Sequence, residues 1–190
     1  DNADSTSGLL LKAIQYARSH GVLPIIAAGN RSTGVSLPGC ISDAFTVSAV
    51  DSSNRIAGFS GRGVTVDVSA PGVGLYSTLL GTSYGTKSGT SMATPVVSGI
   101  AALIKSLQPG YGPAELEQAI INTVQDLGSA GKDNLFGWGR VTANAGNPGG
   151  PLPSPSPVPS PNPITPPSTR CVGNICGRVW SSVASCTKGL

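Results

Sequence analysis

The sequence predicts an α/β protein with a mostly parallel sheet, followed by a proline-rich linker and a short cysteine-containing tail. Three observations carry this. Helical and strand-like patterns alternate along most of the chain, as they do in layered α/β domains. The strand-like stretches are short apolar runs with little alternation, the pattern of strands covered on both faces. Finally, the prolines crowd into one segment near the end, where no core can form.

Residues 8–20, GLLLKAIQYARSH, read as an amphipathic helix with Leu10, Ile14 and Ala17 at helical spacing. Asp4, Ser5 and Ser7 can cap its start, and Gly21 stops it. The segment VLPIIAAGN that follows fits a short buried parallel strand, 44–50 a second strand and 63–68 a third, with Ala70-Pro71-Gly72 as the turn after it. Residues 92–107 read as a helix that is apolar on nearly every face, hence buried, with Pro95 about one turn in, where a missing N–H is cheapest. Residues 113–124 read as another helix, with Pro113 at its first position and acids in its first turn. This divides the chain into a layered domain over 1–147, a Pro/Ser-rich linker over 148–169 and the start of a small Cys-rich module over 170–190. The linker composition favours an extended polyproline-II spacer.

Charged residues make up 11% of the chain, and the net charge of +3 comes from scattered Lys and Arg with no basic run. Nucleic acid and anionic membranes are therefore not expected partners. The longest apolar runs, Val22–Ala28 and Val96–Ile104, fall short of a bilayer span, so membrane insertion is not expected. Asp1–Ser7 is polar, so any secretion signal is expected upstream. Of four cysteines, three fall in the last twenty residues as C-x4-C-x9-C without a nearby His, which suits an extracellular disulfide module better than a zinc site.

The segment Gly89-Thr90-Ser91-Met92-Ala93-Thr94-Pro95 carries the chemistry. It places a serine where a Gly-rich loop meets a helix N-terminus, whose free N–H groups favour an oxyanion beside Ser91. Position 93 is Ala, so this is not the G-x-S-x-G elbow of α/β-hydrolases. The segment instead resembles the nucleophile signature of subtilisin-like serine proteases, peptidase family S8, although Val96 stands where the family usually has His. Ala27-Ala28-Gly29-Asn30 resembles the family's oxyanion strand, and Val66-Asp67-Val68-Ser69-Ala70-Pro71-Gly72 the strand and turn before the nucleophile loop. Phe59-Ser60 and Gly137-Trp138-Gly139 also match, so the resemblance covers roughly residues 5–145.

The resemblance implies part of a three-layer subtilisin-like fold and a serine endopeptidase. Ser91 would be the nucleophile and Asn30 an oxyanion donor, while Ala27, Ala28 and Gly29 would line the substrate side-chain pocket, with Ser36 near its floor. The substrates would be polypeptides and the setting extracellular. The chemistry requires no cofactor; some members hold structural calcium, but no ligand-dense loop is evident in this sequence.

A triad also needs a base and an acid. The sole histidine, His20, ends a helix, where it suits the dipole better than catalysis. Asp67 lies within a strand pattern and reads as structural. The family order of acid, base and nucleophile puts both missing residues upstream, in a partner segment of the same domain. Cys40 resembles a position that in some members bonds an upstream cysteine, which implies a free thiol here. An alternative reading is a non-catalytic protease-like remnant or extracellular binding module.

Overall fold

A computed structural model of the chain describes residues 2–143 and the backbone of two short strands in the tail. The elements are α1 (Asn2–Ser19), β1 (Ile25–Ala27), β2 (Phe45–Val50), β3 (Val68–Pro71), β4 (Leu75–Thr78), β5 (Tyr84–Lys87), α2 (Thr90–Leu107), α3 (Pro113–Ile121), β6 (Thr169–Val172) and β7 (Ile175–Arg178). The linker over 148–169 and the Cys-rich module over 170–190 lie outside the described residues, apart from β6 and β7.

The centre is a parallel sheet in the order β1-β2-β3. Successive residues of a strand point to opposite faces, and the sheet uses this to build layers. Ile25, Val47, Ala49, Val68 and Ala70 join a core with Ala93, Val97, Ile100, Ala101 and Ile104 of α2, with Leu116 and Ile120 of α3 behind. Ile26, one residue from Ile25, packs instead with Ile14 of α1, Ile41 and Ala44. The two helices therefore flank the sheet on opposite sides. Small side chains on β2 and β3 keep both layers close, and the buried polar ones on the far face mostly find partners. Thr46 donates its hydroxyl to the Gly39 carbonyl at 2.7 Å, and Ser48 to that of Leu135 at 2.8 Å.

Four expectations are corrected. The third strand begins at Val68, not 63, because Val66 N–H closes a turn on the Gly63 carbonyl at 3.0 Å; Ala70 and Pro71 lie in the strand, paired with Ala49 and Val50. Second, α2 is not buried all round. One face lies on the sheet, while Leu103 and Leu107 remain about 60% exposed (60% and 59%). Among the described residues nothing covers that face. Third, α2 begins two residues earlier than its apolar pattern, inside the serine motif. Its 18 residues and mean hydropathy of 1.3 reach the threshold for a membrane span by length and composition, although it lies on a sheet here. Fourth, Cys40 is disulfide-bonded and not a free thiol; its candidate partners in the chain are Cys171, Cys176 and Cys186.

Candidate active site

The parallel sheet delivers one end of β1 to the start of α2. After Ala27 the chain leaves the sheet through Ala28, which is fully buried and bonded to Val47 by its N–H at 2.9 Å, and then Gly29. Gly29 has φ +92, a left-handed conformation that disfavours side chains. A Cβ there would also lie 2.3 Å from Ser36 Oγ. Ser36 is held in place by its N–H, which donates to the Ala28 carbonyl at 2.9 Å. Residues 27–29 and Ser36 thus form one continuous wall.

Asn30 follows, exposed at the end of this wall. Its side-chain orientation is set by chemistry. The Thr90 N–H can only donate, and it bonds Asn30 Oδ1 at 3.0 Å; the Thr90 hydroxyl donates to the same oxygen, also at 3.0 Å. The amide Nδ2, a double donor, is therefore left for another acceptor. Thr90 itself is fully buried, and its Oγ also accepts the Gly29 N–H at 3.1 Å. One hydroxyl ties the end of the 27–29 segment, the Asn30 amide and the helix start together.

Ser91 is the second residue of α2 and is exposed. In the first turn of a helix the N–H groups lack intrahelical acceptors. Here Thr90 N–H is taken by Asn30, and Met92 and Ala93 N–H by the Gly89 carbonyl at 3.0 and 3.3 Å. The Ser91 N–H carries no bond among the described residues, so it too faces outward as a donor. Gly89 keeps the space between these donors open. A Cβ at Gly89 would lie 3.3 Å from Asn30 Nδ2 and 3.7 Å from Ser91 N. The structure therefore brings Asn30, Ser91 and the 27–29 segment close together, with the Asn30 Nδ2 and the unbonded Ser91 N–H on either side of Gly89.

His20 is not brought there. Its Nδ1 lies 2.8 Å from the Tyr16 carbonyl and its ring 4.1 Å from that of Tyr16, all within the end of α1. Nor is Asp67. Its carboxylate accepts the Thr46 N–H at 2.8 Å and pairs with Lys132 at 2.9 Å, locking β2 to the 132–138 loop. Among the described residues no three His, Cys, Asp or Glu side chains gather. A depression lined by Gly128, Ser129, Lys132, Asp133, Asn134 and Leu135 contains none of the predicted site residues. Sequence reasoning missed Thr90 as a structural tie and the β4–β5 hairpin leading into the serine loop. Tyr76 and Tyr84 stack across that hairpin, centroids 6.1 Å apart.

The fold is a layered α/β domain whose Gly-rich loop and helix start hold a serine beside an asparagine amide. The sequence model of the subtilase family, peptidase S8, matches residues 1–139. Subtilisin Savinase from Lederbergia lenta is 42% identical over 142 residues, which cover 74% of this chain and 52% of that protein. In structure, a lanthipeptide protease superposes with a TM-score of 0.69 at 24% identity, covering 76% of this chain and 56% of the other; the likeness there is one of fold. A protease from Pseudoalteromonas arctica superposes with a TM-score of 0.64 at 34% identity, covering 71% and 44%. The chain belongs to the subtilase family of serine proteases. It spans about half the length of the subtilisin relative it matches.

Proposed function

We propose that this chain is the nucleophile-bearing part of a secreted serine endopeptidase, whose catalytic acid and base are supplied by an upstream part of the same domain. The observation that carries this reading is the fixed orientation of Asn30. Its Oδ1 is committed to Thr90, and its Nδ2 is presented beside the free Ser91 N–H.

Ser91 Oγ attacks the scissile carbonyl of a polypeptide once a base removes its proton. The carbonyl oxygen gains negative charge and takes hydrogen bonds from Asn30 Nδ2 and the Ser91 N–H. Donors already in place before the charge develops need no reorganisation during the reaction, which is why such sites lower barriers. Collapse expels the amine and leaves an acyl group on Ser91, which water then hydrolyses. The partly exposed Ala27 and Gly29, backed by the fully buried Ala28, form the wall that receives the substrate side chain. No cofactor is required by these steps. The disulfide at Cys40 suits an oxidising, extracellular setting.

A second reading, a non-catalytic protease-like module, is favoured for the 190 residues alone by one observation. The sole histidine is tied to α1, and its contacts are all local. A fluorophosphonate probe separates the two. We expect no labelling of the 190-residue chain and labelling of a longer polypeptide that includes the upstream part of the domain, abolished by Ser91→Ala. A longer polypeptide with both missing blocks that stays unlabelled would overturn the enzyme reading.

A further inference from the structure

We propose that Asn30 is an N-glycosylation acceptor, so that one side-chain nitrogen serves either as an oxyanion donor or as the anchor of a glycan that silences the site. Asn30-Arg31-Ser32 fits the acceptor pattern N-x-S/T with a non-proline residue in the middle, and it is the one match in the sequence. Asn30 is exposed, as an acceptor must be. Its Oδ1 takes both bonds from Thr90, so Nδ2, the atom that carries a glycan, has no partner among the described residues. A glycan on Nδ2 therefore leaves both Thr90 anchors in place, and the modified chain can fold as the bare one does. The acceptor assignment rests on residues 30–32 alone; the silencing rests on the enzyme reading above.

The folded loop is a poor acceptor. The hydroxyl at the third position is part of what a glycosyl transferase reads, and here it is committed. Ser32 Oγ donates to the Arg31 carbonyl at 2.6 Å, and the Ser32 N–H to that of Phe59 at 2.9 Å. The Ser32 backbone is left-handed, with φ +60, and the Thr33 N–H donates to the Arg31 carbonyl at 2.8 Å. Opening this turn into an extended acceptor breaks these bonds. Attachment therefore precedes closure of the loop. The groups that close it, Phe59 and Thr90, both lie downstream, so the acceptor emerges into a secretory compartment before its loop can fold. The glycosylated fraction is set by a race between glycosyl transfer and folding.

In the transfer, Nδ2 displaces the diphosphate of a lipid-linked oligosaccharide at the first sugar's C1. The C1–O bond breaks with its electron pair leaving on the diphosphate, the C1–N bond forms, and the amide loses one proton. Nδ2 is left with a single hydrogen in place of two. The space it faces is narrow: a Cβ at Gly89 would lie 3.3 Å from Nδ2 and 3.7 Å from Ser91 N. A pyranose ring bonded to Nδ2 is far larger than that one carbon. It crowds the gap between the two donors and keeps a scissile carbonyl oxygen from reaching both.

The test uses the longer polypeptide that includes the upstream part of the domain, secreted from an N-glycosylating host. It is made with and without an inhibitor of lipid-linked oligosaccharide synthesis, and as Ser32→Ala. Glycans are released with an amidase that turns a glycosylated Asn into Asp, and trypsin cleavage after Arg18 and Arg31 then isolates Asn30 on peptide 19–31. We expect Asp at position 30 from the untreated host, and Asn from the inhibited host and in Ser32→Ala. The fraction of chain carrying Asp there should equal the fraction whose Ser91 labels with a fluorophosphonate about 100-fold or more slowly, the low end of the loss known for the oxyanion asparagine of subtilisin. Both fractions should vanish in Ser32→Ala; if that variant does not fold, the inhibited host supplies the bare chain. Unmodified Asn30 from the untreated host would overturn the proposal, and an occupied chain that labels at the bare rate would overturn the silencing. Occupancy at position 30 with no labelling of the bare chain would sink the enzyme reading, and the silencing with it, while the acceptor assignment stands.

Discussion

Thr90→Val tests whether the site depends on a residue that touches no substrate. The substitution preserves shape and removes only the hydroxyl, which is fully buried and makes two hydrogen bonds, from Gly29 N–H at 3.1 Å and to Asn30 Oδ1 at 3.0 Å. Each bond contributes about 1 kcal/mol net, and the abandoned Gly29 N–H adds a desolvation cost, so a loss of about 2–3 kcal/mol in unfolding free energy is expected. The kinetic effect is smaller, because Asn30 keeps its second anchor, the Thr90 N–H at 3.0 Å. Loosening one of two anchors on the amide should slow acylation about tenfold, equivalent to about 1.4 kcal/mol. Asn30→Ala should cost about 10²–10³ in rate, the size already established for the oxyanion asparagine of subtilisin itself. The decisive measurement is a double-mutant cycle on the rate of fluorophosphonate acylation in the longer polypeptide, with urea unfolding alongside. If Thr90 acts through Asn30, removing it after Asn30→Ala should cost little more in rate. Fully additive rate losses would refute the reasoning, as would failure of Thr90→Ser to restore the rate.

The remaining predictions concern the frame around the site. Gly29→Ala should destabilise by about 2 kcal/mol or more, since its Cβ would meet Ser36 Oγ at 2.3 Å; Ser36→Gly should restore only part of this in thermal unfolding, because the φ of +92 stays unfavourable. Asp67→Ala should lower stability in urea by about 2 kcal/mol, because it strips the Thr46 N–H and Lys132 of their partner, while leaving Ser91 labelling of the longer polypeptide at its original rate. The Asp51 carboxyl, bonded first by the Arg55 N–H and then by that of Ser53, is held below its ordinary aspartate value. Its stabilising effect should be present above the unfolded-state value and fade as pH falls through the lowered folded value; an NMR titration with a midpoint at or above the ordinary value would contradict this. Gly99→Ala should stabilise the isolated chain by about 1 kcal/mol in thermal unfolding, because a Cβ there meets nothing within 4 Å.

How much is legible in the sequence depends on how local the cause is. The serine motif places Ser91 at a helix start because glycine, small residues and an apolar run are all local signals, and α2 does begin inside it. The His20 environment is legible for the same reason, since its partners lie within the preceding turn. The pattern starts the third strand too early because Val66 and Asp67 are held like strand residues, one buried and one bonded to Thr46, although Gly63 turns the chain just before them. The role of Thr90 is not legible: its partners Gly29 and Asn30 are about 60 residues away, and nothing between a glycine and a serine advertises a buried hydroxyl. The β4–β5 hairpin is silent because most of it is exposed and lacks the apolar periodicity that marks a strand. The bond at Cys40 is not legible because no residue near it in the sequence marks a partner.

The one large disagreement between pattern and structure is informative about α2. Its sequence reads as buried on all sides, yet apart from Thr90 at its start it buries only the stripe through Ala93, Val97, Ile100, Ala101 and Ile104. On the other side Leu103 and Leu107 are exposed, and Gly99 sits mid-helix with open space where its side chain would be. A mid-helix glycine costs about 1 kcal/mol relative to alanine, and no contact among the described residues makes that smallness necessary. Strand β1 is an edge of the described sheet, paired on one side only, by β2. An apolar helix face, a glycine that admits close approach and an open strand edge are together what a domain interior looks like when one layer is taken away. The 52% share of the subtilisin relative that this chain covers matches that reading. Ser91 lies at the head of this helix. Under the proposed enzyme reading, a base supplied by an upstream part of the domain would meet a serine that already has the Asn30 amide and the unbonded Ser91 N–H beside it.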